Sequence, residues 1–211
     1  SVVAEAEGFL KNPRFKGIIS DVGGPSANFR RPSCKKQLSK GLCAGRKCLA
    51  PTPCPALEVD HSEYLHLLRR LRGLPGVKRV FVRSGLRYDY MMLEQDDRFM
   101  RELLQYHVSG QLKVAPEHSS AHVLDCMGKP HIEVYEKFAE RFYRLTKQVG
   151  KEQYLVPYLI SSHPGSTLKD AVNLAVFLKK HRIRPEQVQD FYPTPGSVST
   201  CMFYTGLDPY T

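Results

Sequence analysis

The sequence predicts an α/β fold, an incomplete (β/α) barrel of about five parallel strands with a cysteine-rich insertion. Short β-branched runs alternate with amphipathic helical patterns, which favours βαβ units and a parallel sheet. Each predicted strand runs directly into a polar turn that contains glycine or proline. The chain has 211 residues, 42% of them hydrophobic, enough for one substantial core. We therefore expect residues 1–211 to form one partial barrel, with the insertion at residues 30–57.

The first third of the chain predicts two helices and one strand. Residues 2–10 form an amphipathic pattern that Asn12-Pro13 closes. Residues 15–20 are a buried strand that leads into the turn DVGGPSAN. After the insertion, Asp60 with Glu63 resembles a capping box, and the helix that follows has a buried stripe made of Tyr64, Leu65, Leu68 and Leu71.

The middle of the chain contributes two more strand–turn–helix units. Residues 77–84 alternate as a strand that ends in SGLRYD, and residues 97–108 are the helix after it. In the stretch 111–130, Leu112 and Val114 indicate a strand that Pro116 ends, because proline has no N–H to donate. Ser119 or Ser120 can then cap the next helix.

The last part predicts the remaining helices and strands. A long helix over residues 131–150 precedes a strand over 154–160 and the turn SSHPGS. Thr167 with Asp170 forms a capping box, and a short helix starts near Pro185. A last strand covers residues 188–192 and ends in YPTPGS. The apolar residues of the Thr167-capped helix include Leu168, Ala171, Val172, Ala175 and Leu178.

All five polar turns follow strands, and the carboxyl ends of parallel strands share one rim. We therefore expect the turns to build a single site. Glu117 and His118 have acid–base chemistry, as does His163, although each side chain also suits a structural hydrogen bond beside a turn. The charged and histidine side chains expected on this rim are Arg87, Asp89, Glu117, His118 and His163.

The insertion is unusual because it has four cysteines, a strong positive charge and few apolar residues. Cys34, Cys43, Cys48 and Cys54 lie within 21 residues, a spacing that fits neither a zinc ribbon nor a ferredoxin. Metal ligation, disulfides and free thiols all stay open. The excess of basic residues, part of a net charge of +10, suits either RNA or another polyanion, or a solvated surface.

Several classes of protein are disfavoured. The sequence has no GxxxxGK[ST] phosphate loop and no pattern that indicates a Ser-His-Asp or Cys-His nucleophile. No apolar run approaches the ~18 residues of a membrane span, and the first residues lack the features of a signal peptide. We expect a cytoplasmic protein without a membrane partner. Because the chain starts without methionine and in mid-helix, we also expect it to be a fragment.

Several stretches together resemble radical S-adenosylmethionine (SAM) enzymes. KVAPEHSSAHVLDCMGKP resembles their fourth-strand segment, YLISSHPGSTLKDAVNLAVFLKK the fifth and VQDFYPTPGSVST the sixth, and ISDVGGPSANF stands at the second-strand glycine motif. YgiQ-type proteins are similar to this chain in a more specific way, because they have the same motifs in the same order: ISDVGGPSANF, four cysteines, SGLRYD, APEH and HPGST. The defining CxxxCxxC motif and the first strand are absent from this sequence.

The resemblance implies a TIM-like barrel that binds SAM and a [4Fe–4S] cluster, whose cysteines lie outside this chain. It implies reductive cleavage of SAM, an electron donor and hydrogen abstraction from an unknown substrate. Gly23 and Gly24 would meet the methionine amino group, with Ser26 in place of the usual Glu, because Pro25 stands at that position. The other implied contacts are Lys113 and Glu117 for the ribose or carboxylate, and Ser161, Ser162 and Tyr192 for the adenine.

The four cysteines would then hold a structural zinc or an auxiliary cluster. Without the cluster motif, the 211-residue chain alone is expected to be inactive. The alternative is a non-enzymatic, metal-stapled module that binds RNA or protein through the basic loop.

Overall fold

The computed structural model describes residues 1–24, 26–43, 45, 47–185 and 188–209. Helices and strands alternate through most of this range. The helices are α1 (Val2–Leu10), α2 (Lys35–Lys40), α3 (Ser62–Arg72), α4 (Tyr88–Met91), α5 (Arg98–Glu102), α6 (Ala121–Met127), α7 (Ile132–Gln148), α8 (Leu168–Lys180) and α9 (Val198–Thr205). The strands are β1 (Ile18–Ile19), β2 (Arg79–Val80), β3 (Gln111–Glu117), β4 (Tyr154–Ile160) and β5 (Val188–Gln189).

The strands form two parallel sheets. β1 pairs with β2, with Ile18 opposite Arg79. β4 lies between β3 and β5, with Gln111 opposite Tyr154 and Leu159 opposite Val188. The prediction of parallel strands joined by helices is confirmed. The single run of five strands is not found, because the described residues divide into sheets of two and three strands and do not form a continuous barrel wall.

Three strands are shorter than predicted, and one is longer. The predicted strands 15–20, 77–84 and 188–192 contain β1, β2 and β5, which have two residues each. β3 continues through Pro116 to Glu117, so the prediction that Pro116 ends the ladder is wrong. The register shifts there: Val114 lies opposite Pro157, and Glu117 opposite Leu159. A β-bulge accommodates the proline, which a regular ladder could not.

The core lies between the first sheet, β3 and the helices that cover them. The predicted α3 stripe of Tyr64, Leu65, Leu68 and Leu71 is buried, as are Phe138 and Phe142 of α7. These residues belong to one hydrophobic cluster that also contains Val82 and Leu112. The periodicity of α3 and α7 therefore predicts their buried faces correctly.

α5 continues into a π-helical turn, Leu103–His107, which contacts β2 and takes the place of a neighbouring strand. Val82 N–H donates to the His107 carbonyl (2.9 Å), and His107 Nδ1–H donates to the Val80 carbonyl (2.8 Å). The side-chain amide of Gln153 donates to the Leu104 and Val108 carbonyls, at 2.8 Å each. These bonds satisfy carbonyls that the π-helical turn leaves outside the regular helical pattern.

Leu174 is the buried residue of α8, whereas Leu168, Val172 and Ala175 point outward. The helix has apolar residues on two sides, and periodicity alone does not tell which side packs. The helices α2, α4 and α9 were not predicted. Pro185 is not helical, and the rest of the short helix predicted there falls on residues 186–187, outside the described part.

Helix caps match the predictions unevenly. Thr167 and Asp170 form the predicted capping box of α8. Asp60 does not cap α3, whose first turn follows His61; the Asp60 carboxylate accepts from Ser62 N–H (2.7 Å). Ser120 precedes α6 but makes no side-chain capping bond.

Within the described ranges, no helix is both long and apolar enough to span a bilayer.

Candidate functional site

The turn after β1 is fixed by Asp21. Its Oδ1 accepts backbone N–H groups from Gly23 (2.7 Å), Arg83 (2.8 Å) and Ser84 (3.2 Å), and its Oδ2 accepts from the Ser84 hydroxyl. A Cβ at position 23 would lie 2.8 Å from Asp21 Oδ1, so glycine is required. One carboxylate thus ties the end of β1 to the segment that follows β2.

Gly24 and Ser26 complete this turn. Gly24 N–H donates to the Gly85 carbonyl (3.1 Å), and Ala27 N–H donates to the Gly24 carbonyl (3.1 Å). Ser26 is exposed, and Pro25, which stands at the position of the usual Glu, lies outside the described residues. A cavity of about 660 Å³ beside β1 and α1 is lined in part by Asp21, Gly23, Gly24 and Ser26. The glycine motif therefore borders open space.

The turn after β2 is held by Asn28, which is fully buried. Asn28 Oδ1 accepts from Arg87 N–H (3.0 Å), and Asn28 Nδ2 donates to the Arg87 carbonyl (3.1 Å). Nδ2 also lies 3.2 Å from His61 Nε2, and His61 Nδ1 lies 3.0 Å from Glu94 Oε2. His61 stacks on Phe99, with ring centroids 4.2 Å apart. These buried contacts fix the backbone of Arg87, a clamp that sequence reasoning missed.

The Arg87 side chain forms a bidentate ion pair with buried Asp89, at 2.9 and 2.5 Å. Burial alone would lower the pKa of the guanidinium, but the hydrogen bonds and charge of Asp89, together with the charge of Glu117, raise it. Arg87 therefore stays charged on the rim. The turn after β2 lies close to β3, because a Cβ added at Gly85 would be 2.8 Å from the Lys113 carbonyl oxygen.

The end of β3 has a different character. Glu117 has φ +68°, a conformation uncommon outside glycine, and its Oε1 lies 3.1 Å from Lys129 Nζ. Four consecutive residues here have a buried polar atom with no hydrogen-bond partner in the described part of the chain. These atoms are Glu117 Oε2, His118 Nε2, Ser119 Oγ and Ser120 Oγ. Such orphaned atoms are rare in folded proteins and need an explanation, such as a ligand or an ordered water.

The hydrogen bonds of His118 and His163 define their tautomers. His118 Nδ1 accepts from Ser120 N–H (3.0 Å), so the neutral ring has its proton on Nε2. His163 Nδ1–H donates to the Pro164 carbonyl (2.8 Å), and its Nε2 accepts from the Ser199 hydroxyl (2.7 Å). Burial lowers both pKa values, which favours the neutral rings. His118 therefore presents an N–H donor, whereas both His163 nitrogens are engaged.

The predicted adenine contacts hold the last strand. Ser161 Oγ donates to Asp190 Oδ1 (2.8 Å), and Ser162 Oγ accepts from Phe191 N–H (2.9 Å). Tyr192 follows with its side chain exposed. The two serines thus fix the end of β4 to the segment after β5.

Lys113 is exposed on β3 and borders a small cavity of about 210 Å³ together with Arg83 and Gln111. It does not line the larger cavity beside Gly23 and Gly24. The structure therefore brings together the glycine motif and Ser26 in one cavity, and Arg87 near Glu117 on the rim, whereas Lys113 lies in a separate cavity.

The insertion packs against the rest of the chain. Arg31 forms an ion pair with Glu63, and Lys35 lies 3.5 Å from Glu58. The Lys47 side chain covers Gly128, where an added Cβ would lie 2.3 Å from Lys47 Nζ. At least two of its basic residues therefore contact acidic side chains.

The four cysteines of the insertion are Cys34, Cys43, Cys48 and Cys54. No disulfide joins any of the six cysteines of the chain, all of which are described. Cys54 N–H donates to the Cys48 carbonyl (2.8 Å). Across the described ranges, no three His, Cys, Asp or Glu side chains lie close enough to hold a metal ion. In this arrangement the cysteines do not form a metal site.

Comparison with known proteins gives two findings. Residues 186–211 match a family model described as a domain of unknown function, DUF3362. All 211 residues align at 60% identity with a UPF0313 protein of Clostridium perfringens and at 54% with one of Clostridium botulinum strain Okra. The chain resembles one third of a UPF0313 protein. It covers 32% of the first relative and 33% of the second, so both UPF0313 proteins are about three times as long.

Proposed function

We propose that this chain is the carboxyl-terminal part of the core of a YgiQ-type radical SAM enzyme, whose strand ends line the sites for SAM and substrate. One observation carries the proposal: buried polar atoms of Glu117, His118 and Ser119 have no partner among the described residues, at the carboxyl end of β3. Parallel α/β folds bind their ligands at these strand ends. The ordered motifs and the UPF0313 relatives support the same proposal.

The free atoms at the end of β3 have complementary hydrogen-bonding roles. Glu117 Oε2 is an acceptor for an amine or a ribose hydroxyl, and Lys129, whose Nζ lies 3.1 Å from Oε1, holds the side chain in place. His118 Nε2–H is a donor, and Ser119 Oγ both donates and accepts. Amines, hydroxyls and carboxylates are the polar groups of SAM. When bound next to a reduced cluster, SAM supplies the radical that removes a substrate hydrogen.

The other predicted contacts have weaker support. Gly24 and Ser26 border a cavity large enough for part of a nucleoside, and Tyr192 is exposed beside the last strand. Ser161 and Ser162 offer the adenine mainly backbone groups, because their hydroxyls hold the segment after β5. Lys113 lines a different cavity from Gly23 and Gly24, so it would reach a ligand bound at the glycines only from the other side of the rim.

The residues of this chain do not fit a [4Fe–4S] cluster. The CxxxCxxC motif is missing, and the described side chains form no group of three metal ligands. The cluster and its electron donor therefore belong to the proposal for the whole protein. A zinc or auxiliary cluster at the four cysteines stays a prediction. Metal analysis of the purified chain checks it, with Cys43→Ala plus Cys48→Ala as the comparison.

The test is SAM binding to the full-length protein after anaerobic cluster reconstitution. Glu117→Gln removes the charge but keeps the shape, and should raise the Kd for SAM about tenfold or more, since hydrogen bonds to charged groups contribute about 1.5–3 kcal/mol. Glu7→Gln, on the exposed side of α1, should change it less than about twofold. Equal affinities in the two variants would remove Glu117 from the site. If the reconstituted protein neither binds nor cleaves SAM, the proposal fails.

The alternative is the metal-stapled module that binds RNA or protein. No specific contact favours it, because Arg31 and Lys35 already face glutamates. Its test is reversal of Arg30, Arg31, Lys35 and Lys36 to Glu, and unchanged polyanion affinity would reject it.

A further inference from the structure

Helix α8 has apolar side chains on two opposite sides. Leu174 is buried, with Phe177 and Leu178 partly covered. On the other side Leu168, Val172 and Val176 are 82%, 53% and 60% exposed. These three residues are spaced four apart and form one stripe, the outer face of α8.

The next helix has the same property. Met202 is the buried side chain of α9, whereas Phe203 and Tyr204 are exposed, as is Leu207 just beyond the helix. By contrast, α3 and α7 place their largest apolar side chains in the core. Apolar surface of this kind marks an interaction site in a soluble protein.

The lengths of the relatives indicate what covers this surface. The UPF0313 proteins that match all 211 residues are about three times as long, so in them this region is joined to some two thirds more polypeptide. We propose that the outer face of α8 is an interface with another part of the full-length polypeptide, which buries Leu168, Val172 and Val176. This interface does not depend on the proposed SAM chemistry.

Charge defines the matching surface further. Lys169, Lys179 and Lys180 surround the stripe and are exposed. The complementary segment should therefore have an apolar centre with acidic residues at its edge, because complementary charges favour the correct register of two surfaces.

The first experiment is covalent footprinting of the full-length protein with a carbene reagent, followed by mass spectrometry. Leu168 and Leu42 are similarly exposed in the structure, at 82% and 87%, so Leu42 serves as the internal control. The proposal expects labelling of Leu168 to be about tenfold lower than that of Leu42, since residues at the centre of an interface are almost fully desolvated. Equal labelling would overturn it.

The second experiment is the substitution Val176→Asp in the full-length protein, with Asn173→Asp as the matched control. Asn173 is exposed at the side of the same helix and outside the stripe. We expect the Tm to fall by about 5 °C or more for Val176→Asp, because an unpaired charge becomes buried, and by less than about 1 °C for Asn173→Asp. Equal Tm values for the two variants would overturn the proposal. So would a wild-type dimer that Val176→Asp converts to a monomer, since a second copy would then be the occupant.

Discussion

The turns after β1 and β2 differ from the turn after β3 in how their polar atoms are used. Asp21 and Asn28 satisfy backbone groups up to 63 residues away, and each joins two parts of the chain. At the end of β3, Glu117, His118 and Ser119 retain buried atoms without partners in the described residues. Equally polar turns therefore differ: the first two use their polar atoms to join parts of the chain, and the third keeps buried atoms without partners in the described residues, as the proposed ligand site would require.

The energetic reason makes this difference measurable. A buried polar atom without a partner costs about 1–3 kcal/mol, so breaking the bonds of a satisfied residue destabilises the fold, and removing an orphaned atom does not. The four predictions below test this contrast, from the largest expected effect to the smallest.

Asn28→Ala should have the largest effect. It removes both bonds to the Arg87 backbone and the contact with His61, leaving buried groups unsatisfied. We expect the free energy of unfolding to fall by about 3 kcal/mol, measured by urea denaturation. Asn173→Ala on the exposed side of α8 is the control and should change it by less than about 0.5 kcal/mol. A loss of the same size in both would contradict the structural role of Asn28.

Gly85→Ala tests the contact between the two halves of the rim. Gly85 has φ +93°, and an added Cβ would lie 2.8 Å from the Lys113 carbonyl oxygen. We expect a loss of about 2 kcal/mol, because both the conformation and the contact become strained. Gly8→Ala is the opposite control: it lies in α1 with open space around it and should stabilise the chain by about 0.5–1 kcal/mol. Equal effects would show that β3 does not pack on this turn.

The dependence of stability on pH should reflect the buried histidines. Burial lowers the pKa values of His107, His118 and His163, so the unfolded chain binds more protons than the folded protein near pH 6. Stability is therefore full above an unfolded pKa of about 6.5 and falls as the pH drops below it. His118→Asn should reduce the fall between pH 7.5 and pH 5.5 in urea denaturation. An unchanged pH dependence would show that His118 does not titrate as a buried group.

The pH dependence of Asp170 is separate. Hydrogen bonds from the Thr167 side chain and backbone lower its pKa to about 2, so its contribution is present above an unfolded value of about 4 and is lost only as the pH falls toward 2.

Ser119→Ala should have the smallest effect on stability and sharpens the contrast most directly. Its hydroxyl is buried and has no partner in the described residues. We expect the free energy of unfolding to stay within about 0.5 kcal/mol or to rise, while the affinity of the full-length protein for SAM falls. A loss of stability as large as that of Asn28→Ala would mean that the turn after β3 is structural as well.

The sequence predicts the fold best where the pattern is strong and local. Residues 2–10 and 154–160 match α1 and β4, and the Thr167–Asp170 box caps α8. β1, β2 and β5 have two residues each, and beyond β2 the Val82 N–H donates to His107 of the π-helical turn and not to another strand. Sequence periodicity could not select the packed face of α8, because both faces are apolar.

Sequence reasoning could propose only those members of the candidate site that directly follow strands. Arg87, Glu117, His118 and the glycines are candidates because polar or glycine-containing turns follow strands. The clamp formed by Asn28 and His61 was missed, as were the bonds from Asp21 to Arg83 and Ser84, because these partners lie 33 to 63 residues apart in sequence. A hydrogen bond between distant residues leaves no local pattern.

The π-helical turn Leu103–His107 also limits where relatives can gain or lose a residue. Such a turn is equivalent to one inserted residue in an α-helix. Deleting one residue from it would restore regular winding and turn the following backbone by about 100°. The His107 carbonyl would then face away from Val82 N–H, and β3 would start in a different register. We expect natural relatives to vary in side chains within this turn but to keep its number of residues.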